Sequence, residues 1–150
     1  MKQKKESQKI VITFGTFDLF HLGHLHILER AAVLGDYLIV GVSSDQLNYN
    51  KKNFYPTYTQ QDRMDIVQAI RCVDDVFIEE SLEEKREYLL KYNCDILVMG
   101  DDWKGKFDEF SDIVEVVYLP RTALISTTEA KHRILNEAKK IYDPIRPNMG

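Results

Sequence analysis

The stretch IVITFGTFDLFHLGH, residues 10–24, decides the fold and carries most of the polar groups that could do chemistry. Residues 10–14 are apolar and rich in β-branched side chains, which is typical of a buried strand in a parallel sheet. Gly15 and Gly23 permit tight backbone paths and the close approach of a ligand. Apolar residues at helical spacing follow over residues 25–34. The stretch therefore predicts a strand, a polar turn and a helix.

The same alternation of strand and helix continues along the chain. Further strands are predicted at residues 37–42, 73–78, 96–99 and 114–119, and further helices at residues 60–70, 82–92 and 127–140. Thr59 is expected to cap one helix, and Ser81 with Glu84 forms a capping-box pattern for the next. Such alternation predicts an α/β fold, Rossmann-like and doubly wound, with a mostly parallel five-stranded sheet and helices on both faces. Ligands of such sheets bind beyond the carboxyl ends of the strands.

The length of 150 residues fits one domain. We expect a flexible tail at residues 1–9, one folded domain at residues 10–140 and a C-terminal tail at residues 141–150. Residues 48–59 are the longest irregular stretch and are expected to form a mobile loop.

The charge and the composition of the chain indicate which partners and which cellular compartment to expect. The net charge is −4, but residues 1–9 hold four lysines and one glutamate, so the remaining body carries about −7. An acidic body argues against nucleic acid as a partner. No apolar run approaches the roughly 20 residues that span a bilayer, which predicts no membrane insertion. Cys72 and Cys94 form no CxxC pattern and suggest buried thiols, so a cytoplasmic location is expected.

Two histidines at the first turn are the strongest chemical signal. His24 should lie near a helix start, where free N–H groups and the helix dipole favour anions. Imidazoles at His21 and His24 could both donate hydrogen bonds to one phosphoryl group, whose charge is spread over its oxygens during transfer. A zinc site would need further ligands, and none is spaced nearby, so no metal site is predicted. We expect His26 to lie along the helix without a role and His132 to be a surface residue.

A second polar cluster precedes the last predicted helix. Ser126 and Glu129 form a capping-box pattern, so this helix should begin there. Its free N–H groups, the hydroxyls of Thr127 and Thr128 and the forked cation of Arg121 could bind phosphate. The alternative is an ordinary helix cap beside a surface arginine.

Residues 100–106 spell GxxxxGK after a predicted strand, which is the opening of a P-loop. The next position of a P-loop should be Ser or Thr, and here it is Phe107. Asp101 and Asp102 within the loop would also repel phosphate. We therefore reject a P-loop.

The stretches GTFD (residues 15–18), HLGH (21–24) and RTALISTT (121–128) resemble the two signatures of the cytidylyltransferase family. The resemblance covers about residues 10–134 and is nearest to members that use glycerol 3-phosphate. It implies transfer of CMP from CTP to a small phosphorylated alcohol, with release of pyrophosphate and with Mg²⁺ on the triphosphate. It also implies a homodimer that contributes to the synthesis of a cell-surface polymer.

The resemblance also implies roles for individual residues. The catalytic residues would be His21, His24, Lys51 and Arg121. The nucleotide would contact these histidines and Arg121 together with Gly15, Thr16, Phe17, Gly23, Lys52, Asp101, Thr122, Ile125, Ser126, Thr127 and Thr128. The acceptor would contact Asp18, Lys51 and Lys85. Lys51 and Lys52 are expected in the irregular loop, Arg63 matches a family arginine, and Arg71 should lie near the dimer interface.

The chain departs from the family pattern at two places. Ala123 and Leu124 replace a Glu-Gly pair before the Ile-Ser-Thr-Thr, and Leu82 stands where a tryptophan is usual. Three alternatives therefore stay open. The acceptor could be phosphocholine, phosphoethanolamine, a sugar-alcohol phosphate or a phosphonate; the enzyme could be an adenylyltransferase that uses ATP; or the chain could bind a nucleotide without catalysis.

Overall fold

A computed structural model describes residues 7–122 and 125–142. The predictions for residues 1–6, for Ala123 and Leu124 and for residues 143–150 lie outside the described part. Within it, Lys9 already belongs to the fold, because its N–H donates to the carboxylate of Asp36 and its carbonyl accepts from the N–H groups of Asp36 and Tyr37.

The sheet has five strands, and every described pairing is parallel. The strands are β1 (Ile10–Gly15), β2 (Tyr37–Ser43), β3 (Asp75–Glu79), β4 (Ile96–Gly100) and β5 (Glu115–Leu119). They lie in the order β3-β2-β1-β4-β5, with Ile12 of β1 opposite Ile39 and Leu97. The predicted doubly wound α/β fold is confirmed.

In the described residues five α-helices cover the sheet: α1 (Leu22–Ala32), α2 (Asp45–Lys52), α3 (Gln60–Gln68), α4 (Lys85–Lys91) and α5 (Thr127–Tyr142). Two short 3-10 turns, Asp101–Trp103 and Asp108–Asp112, lie between β4 and β5. Alternate residues of β1 point to opposite faces, as the twofold period of a strand requires. Ile12 therefore packs in a core with Leu89 of α4, and Val11 packs in a second core with Leu28 of α1 and Val67 of α3. Helices on both faces are thereby confirmed.

Residues 48–52 are helical, so the prediction of an irregular loop from residue 48 is wrong at its start. The hydroxyl of Ser44 accepts from Leu47 N–H and caps α2, and Asn53 ends the helix in the left-handed conformation at φ 61°. Asparagine tolerates that conformation better than most residues. Lys51 and Lys52 consequently lie in the last turn of a helix, and the irregular segment begins at Asn53.

The predicted Ser81–Glu84 capping box is also wrong, whereas Thr59 caps α3 as expected by accepting from Asp62 N–H. The hydroxyl of Ser81 accepts from Glu83 N–H, two residues on, and α4 begins at Lys85. Serine hydroxyls form this local turn as readily as a helix cap. No side-chain hydrogen bond caps α4 at Glu84.

The strand order identifies the place where a ligand can enter. From β1 the chain proceeds to β2 and β3 on one side, and β4 and β5 lie on the other side. The connections that follow β1 and β4 therefore diverge and leave a crevice beyond the carboxyl ends of these strands. None of the described helices is both long and apolar enough to cross a membrane.

Candidate active site

A cavity of about 390 Å³ lies beyond the carboxyl ends of β1 and β4. Its walls come from the turn after β1, the end of α2 with the following loop, the segment after β4 and the start of α5. Every predicted nucleotide contact except Asp101 lines it, namely Gly15, Thr16, Phe17, His21, Gly23, His24, Lys52, Arg121, Thr122, Ile125, Ser126, Thr127 and Thr128. The two polar clusters of the sequence therefore face one cavity.

The two imidazoles at the start of α1 are held by backbone N–H groups. Nδ1 of His21 accepts from Gly23 N–H at 3.1 Å, and Nδ1 of His24 accepts from His21 N–H at 3.2 Å. The rings stack with their centroids 3.7 Å apart. A neutral imidazole carries one N–H, so an accepting Nδ1 places the proton of each ring on Nε2. Both histidines thus offer an Nε2–H donor.

The pKa of each histidine lies below its ordinary value, which favours the neutral imidazole at pH 7. Burial lowers the pKa of His24 to about 3, helped by the neighbouring His21 and opposed by Asp18. Burial also lowers the pKa of His21, and the charge of Arg121 lowers it further. Two uncharged donors side by side can serve one oxyanion without the mutual repulsion that two imidazolium ions would have.

The glycine between the histidines is required by close contacts. A Cβ at position 23 would lie 2.9 Å from the His21 ring and 3.2 Å from the Ile125 side chain. Any other residue at this position would displace the His21 ring or the Ile125 side chain, which both line the cavity. The strand-to-helix turn also holds Phe17 and Leu19 at positive φ, 56° and 48°. Such conformations in non-glycine residues are costly and cluster at functional sites.

Thr127 connects the two sides of the cavity. Its hydroxyl donates to the carbonyl of Asp18 at 2.9 Å, and Nε2 of His21 lies 3.3 Å from the same oxygen. Ser126 caps α5 as predicted, since its hydroxyl accepts from Glu129 N–H at 3.0 Å. The first turn of α5 is therefore fixed directly opposite the imidazoles.

Asp18 lines the cavity but uses its carboxylate to hold a loop. The carboxylate accepts from Thr57 N–H at 2.7 Å and from Tyr58 N–H at 2.9 Å. Burial tends to raise the pKa of Asp18, but the N–H groups of Tyr58 and Thr57 and the ammonium of Lys131 lower it below its ordinary value. The carboxylate thus fastens the segment after α2 to the turn after β1.

Arg63, which the resemblance matched to a family arginine without a role, is a central organiser of the site. Its side chain is fully buried, and its guanidinium donates to the carbonyls of Thr16, Ser43 and Tyr58 and to the carboxylate of Asp45. These partners come from the ends of β1 and β2 and from the segments around α2. Because Thr16 lies 47 residues away in sequence, no local pattern could have indicated this bond.

Lys51 and Lys85 lie beside the cavity and do not line it. The ammonium of Lys85 is buried, donates to Glu79 at 2.8 Å and sits 3.7 Å from the centroid of the Phe14 ring, which does line the cavity. Burial lowers the pKa of Lys51 and of Lys85, and Glu79 opposes the shift in both. Both lysines therefore interact electrostatically with Glu79, and Lys85 lies against the Phe14 wall.

On the other side of the cavity Asp102 and Trp103, rather than the predicted Asp101, form the lining. The chain turns through a 3-10 helix at Asp101–Trp103, and this turn presents the second and third residues to the cavity. Further lining residues that the pattern did not single out are Ile27 and Arg30 of α1, Asn48 of α2 and Lys131 of α5.

A sequence model of a known family matches this chain over residues 12–133, under the description cytidylyltransferase-like. The chain belongs to the cytidylyltransferase-like family. Membership confirms the resemblance read from GTFD, HLGH and RTALISTT.

Two bacterial relatives match over nearly their whole length, and one mouse relative matches over about a third of it. Glycerol-3-phosphate cytidylyltransferase of Bacillus subtilis (strain 168) is 52% identical over 127 residues, which is 84% of this chain and 97% of that protein. The Staphylococcus aureus (strain NCTC 8325 / PS 47) protein of the same name is 44% identical over 134 residues, which is 88% of this chain and 99% of that protein. Ethanolamine-phosphate cytidylyltransferase of Mus musculus is 35% identical over 127 residues, which is 81% of this chain but 31% of that protein.

Among solved structures, a lipopolysaccharide core biosynthesis protein from Thermoplasma volcanium GSS1 is similar, with a TM-score of 0.70 and 25% identity. The match covers 77% of this chain and 99% of that one. The structure comparison therefore supports the fold, and the family rests on the sequence comparisons.

Proposed function

We propose that this cytidylyltransferase-like protein transfers CMP from CTP to glycerol 3-phosphate and releases pyrophosphate, which gives CDP-glycerol. The names of the similar bacterial proteins support the nucleotide and the acceptor. The observation that carries the proposal is geometric: His21, His24 and the hydroxyl-rich start of α5 line one cavity, and Nε2 of His21 lies 3.3 Å from the hydroxyl of Thr127. A triphosphate bridging these two elements would place its α-phosphate at the imidazoles.

The proposed reaction is a single in-line displacement. An oxygen of the acceptor phosphate attacks the α-phosphorus of CTP, and the bond from that phosphorus to the bridging oxygen of pyrophosphate breaks. Pyrophosphate leaves with the electron pair. The acceptor phosphate is already ionised at pH 7, so the step needs no general base. His21 and His24 donate to the α-phosphate oxygens, where negative charge builds up in the transition state.

Arg121 and the start of α5 are proposed to receive the pyrophosphate. The guanidinium of Arg121 offers a rigid fork of donors, and Thr127 and Thr128 add hydroxyls beside the free N–H groups of the helix. Mg²⁺ is proposed to arrive as part of the CTP substrate complex. In residues 7–122 and 125–142 no group of three His, Cys, Asp or Glu side chains could hold a metal ion, so the triphosphate oxygens would be its ligands.

The acceptor is proposed to bind on the side of the Phe14 wall. Lys51 and Lys85 supply two positive charges there against the single carboxylate of Glu79, which leaves a net positive charge for an anionic alcohol phosphate. Lys51, in the last turn of α2, is proposed to bridge the acceptor phosphate and the α-phosphate. The proposal also includes a cytoplasmic homodimer whose product serves a cell-surface polymer; light scattering tests the dimer.

The decisive experiment is a pyrophosphate-release assay with each of the four nucleoside triphosphates against a panel of phosphorylated alcohols. We expect CTP with glycerol 3-phosphate to give the highest kcat/KM. His21→Ala and His24→Ala should each lower kcat by about 100-fold or more, because each removes a transition-state donor. His132→Ala, which changes an exposed histidine of α5, is the matched control.

Three outcomes would contradict the proposal in different ways. Turnover with ATP in place of CTP would make the protein an adenylyltransferase. A preference for phosphocholine, phosphoethanolamine, a sugar-alcohol phosphate or a phosphonate would change the acceptor. CTP binding without turnover on any acceptor would leave a nucleotide-binding module.

A further inference from the structure

Two side chains of α1 reach the segment of residues 120–122 that precedes α5. Nδ1 of His26 lies 3.1 Å from the hydroxyl of Thr122, and the guanidinium of Arg30 donates to the carbonyl of Pro120 at 2.9 Å. Positions four apart on a helix share one face, so both contacts come from the same side of α1. Arg121 lies between the two held residues.

α1 is a firm support for these contacts. Leu28 and Ala31 on its inner face are fully buried against the sheet. The same helix begins at the His21 cap, so one rigid element carries the imidazoles at its start and holds Pro120 and Thr122 one to two turns later. The pKa of His21, lowered first by burial and then by Arg121, indicates that the charge of Arg121 acts on that ring.

We propose that His26 and Arg30 are positioning residues that hold Arg121 over the cavity and thereby set the affinity for CTP. The inference rests on the proposed function and adds a support that it did not include. His26 acts through the Thr122 hydroxyl and Arg30 through the Pro120 carbonyl. Both supports act on the triphosphate side of the cavity and leave the acceptor side untouched.

The test compares His26→Ala, Arg30→Ala and the double variant with the unaltered protein. One net hydrogen bond corresponds to roughly a 2- to 10-fold change in affinity. We expect the Kd for CTP by calorimetry and the KM for CTP to rise about 3-fold in each single variant. In His26→Ala the kcat and the KM for glycerol 3-phosphate should stay within about 2-fold of their original values, because His26 is not one of the residues that line the cavity.

The double variant distinguishes support of a shared segment from direct contact with the ligand. Because either contact alone still holds part of residues 120–122, the double variant should lose more affinity than the two single losses combined. His26→Gln and Arg30→Lys keep a hydrogen-bonding group and should recover much of the affinity. His132→Ala and Arg133→Ala, which change exposed residues of α5, are the matched controls.

Strictly independent losses, an unchanged Kd in the double variant, or conservative variants as weak as the alanine variants would overturn the inference. If an alanine variant does not fold, His26→Phe and Arg30→Met replace it, since they keep the ring and the aliphatic stem. An unaltered protein without CTP turnover would contradict the proposed function instead. Calorimetry with CTP would then still measure the positioning effect.

Discussion

At the scale of single residues, the site depends on which ring nitrogen of His21 and of His24 carries the proton, more than on the charge of the two rings. The Nδ1 atoms of His21 and His24 accept from backbone N–H groups, which leaves the Nε2–H of each ring as a donor. A protonated His24 would give up its acceptor bond to His21 N–H. The turn after β1 therefore selects the neutral ring for structural reasons, and the proposed chemistry uses the donor that remains.

Because the fold holds His24 in its neutral form, the stability of the protein should depend on pH. The pKa of His24 is about 3 in the folded chain and about 6.5 when unfolded, so between these values the unfolded chain binds more protons. The free energy of unfolding should therefore fall as the pH falls from 6.5 towards 3. In His24→Gln this slope should be shallower, as measured by urea unfolding between pH 4.5 and 7.

His132→Gln, an exposed histidine, should leave the slope as it is. If His24→Gln has the same slope as the unaltered protein, His24 is not the group whose lowered pKa causes the pH dependence.

At the scale of elements, β3 and α4 are joined by the ion pair of Glu79 and Lys85, whose side chains are 3% and 4% exposed. Removing one partner of such a pair leaves an uncompensated buried charge, which costs about 3–5 kcal/mol. We expect Glu79→Gln to lower the free energy of unfolding by about 3 kcal/mol, measured by denaturant titration.

The double variant Glu79→Leu with Lys85→Met should recover most of this stability, because an apolar pair of similar volume needs no desolvated charge. Under the proposed function this double variant should still bind the acceptor poorly, because it lacks Lys85. The KM for glycerol 3-phosphate should therefore rise strongly. An unstable double variant would mean that packing around Phe14, rather than charge, sets the cost.

The helices show where sequence reasoning succeeds and where it stops. The caps at Thr59 and Ser126 were predictable because their partners lie three residues away. α2 was missed because DQLNYNKK has little apolar periodicity, although Ser44 before it and Asn53 after it are both helix-end signals. The Ser81 pattern failed because the same hydroxyl can close a local turn.

At the scale of the whole molecule, the sheet and its two cores were predictable from the apolar runs, and so was the meeting of the two signatures. The contacts that fix the site were not. Arg63 reaches residues 20 and 47 positions away, and His26 reaches Thr122 across 96 positions. Such bonds depend on the folded path of the chain, which local spacing does not encode.

Because the cavity joins the turn after β1 to the start of α5, a bound nucleotide should stabilise the whole domain. Ligand at 100 times its Kd adds about 2.7 kcal/mol, which corresponds to roughly 5–10 °C in Tm for a chain of this size. We expect CTP to raise the Tm by this amount in a thermal melt. The same melt of Arg121→Ala should show a much smaller shift.

UTP provides the comparison for this measurement, and an equal shift with UTP would show that the base is not discriminated. An unchanged Tm at saturating CTP would contradict the placement of the nucleotide in this cavity.

The histidine turn follows the first strand, whereas Arg121 and α5 come after the last strand. During synthesis, the imidazoles therefore leave the ribosome long before the residues that would grip a triphosphate. A nascent chain has no complete nucleotide site until α5 has emerged and docked. Substrate can assist only the last stage of folding, and the earlier strands must assemble on their own hydrophobic cores.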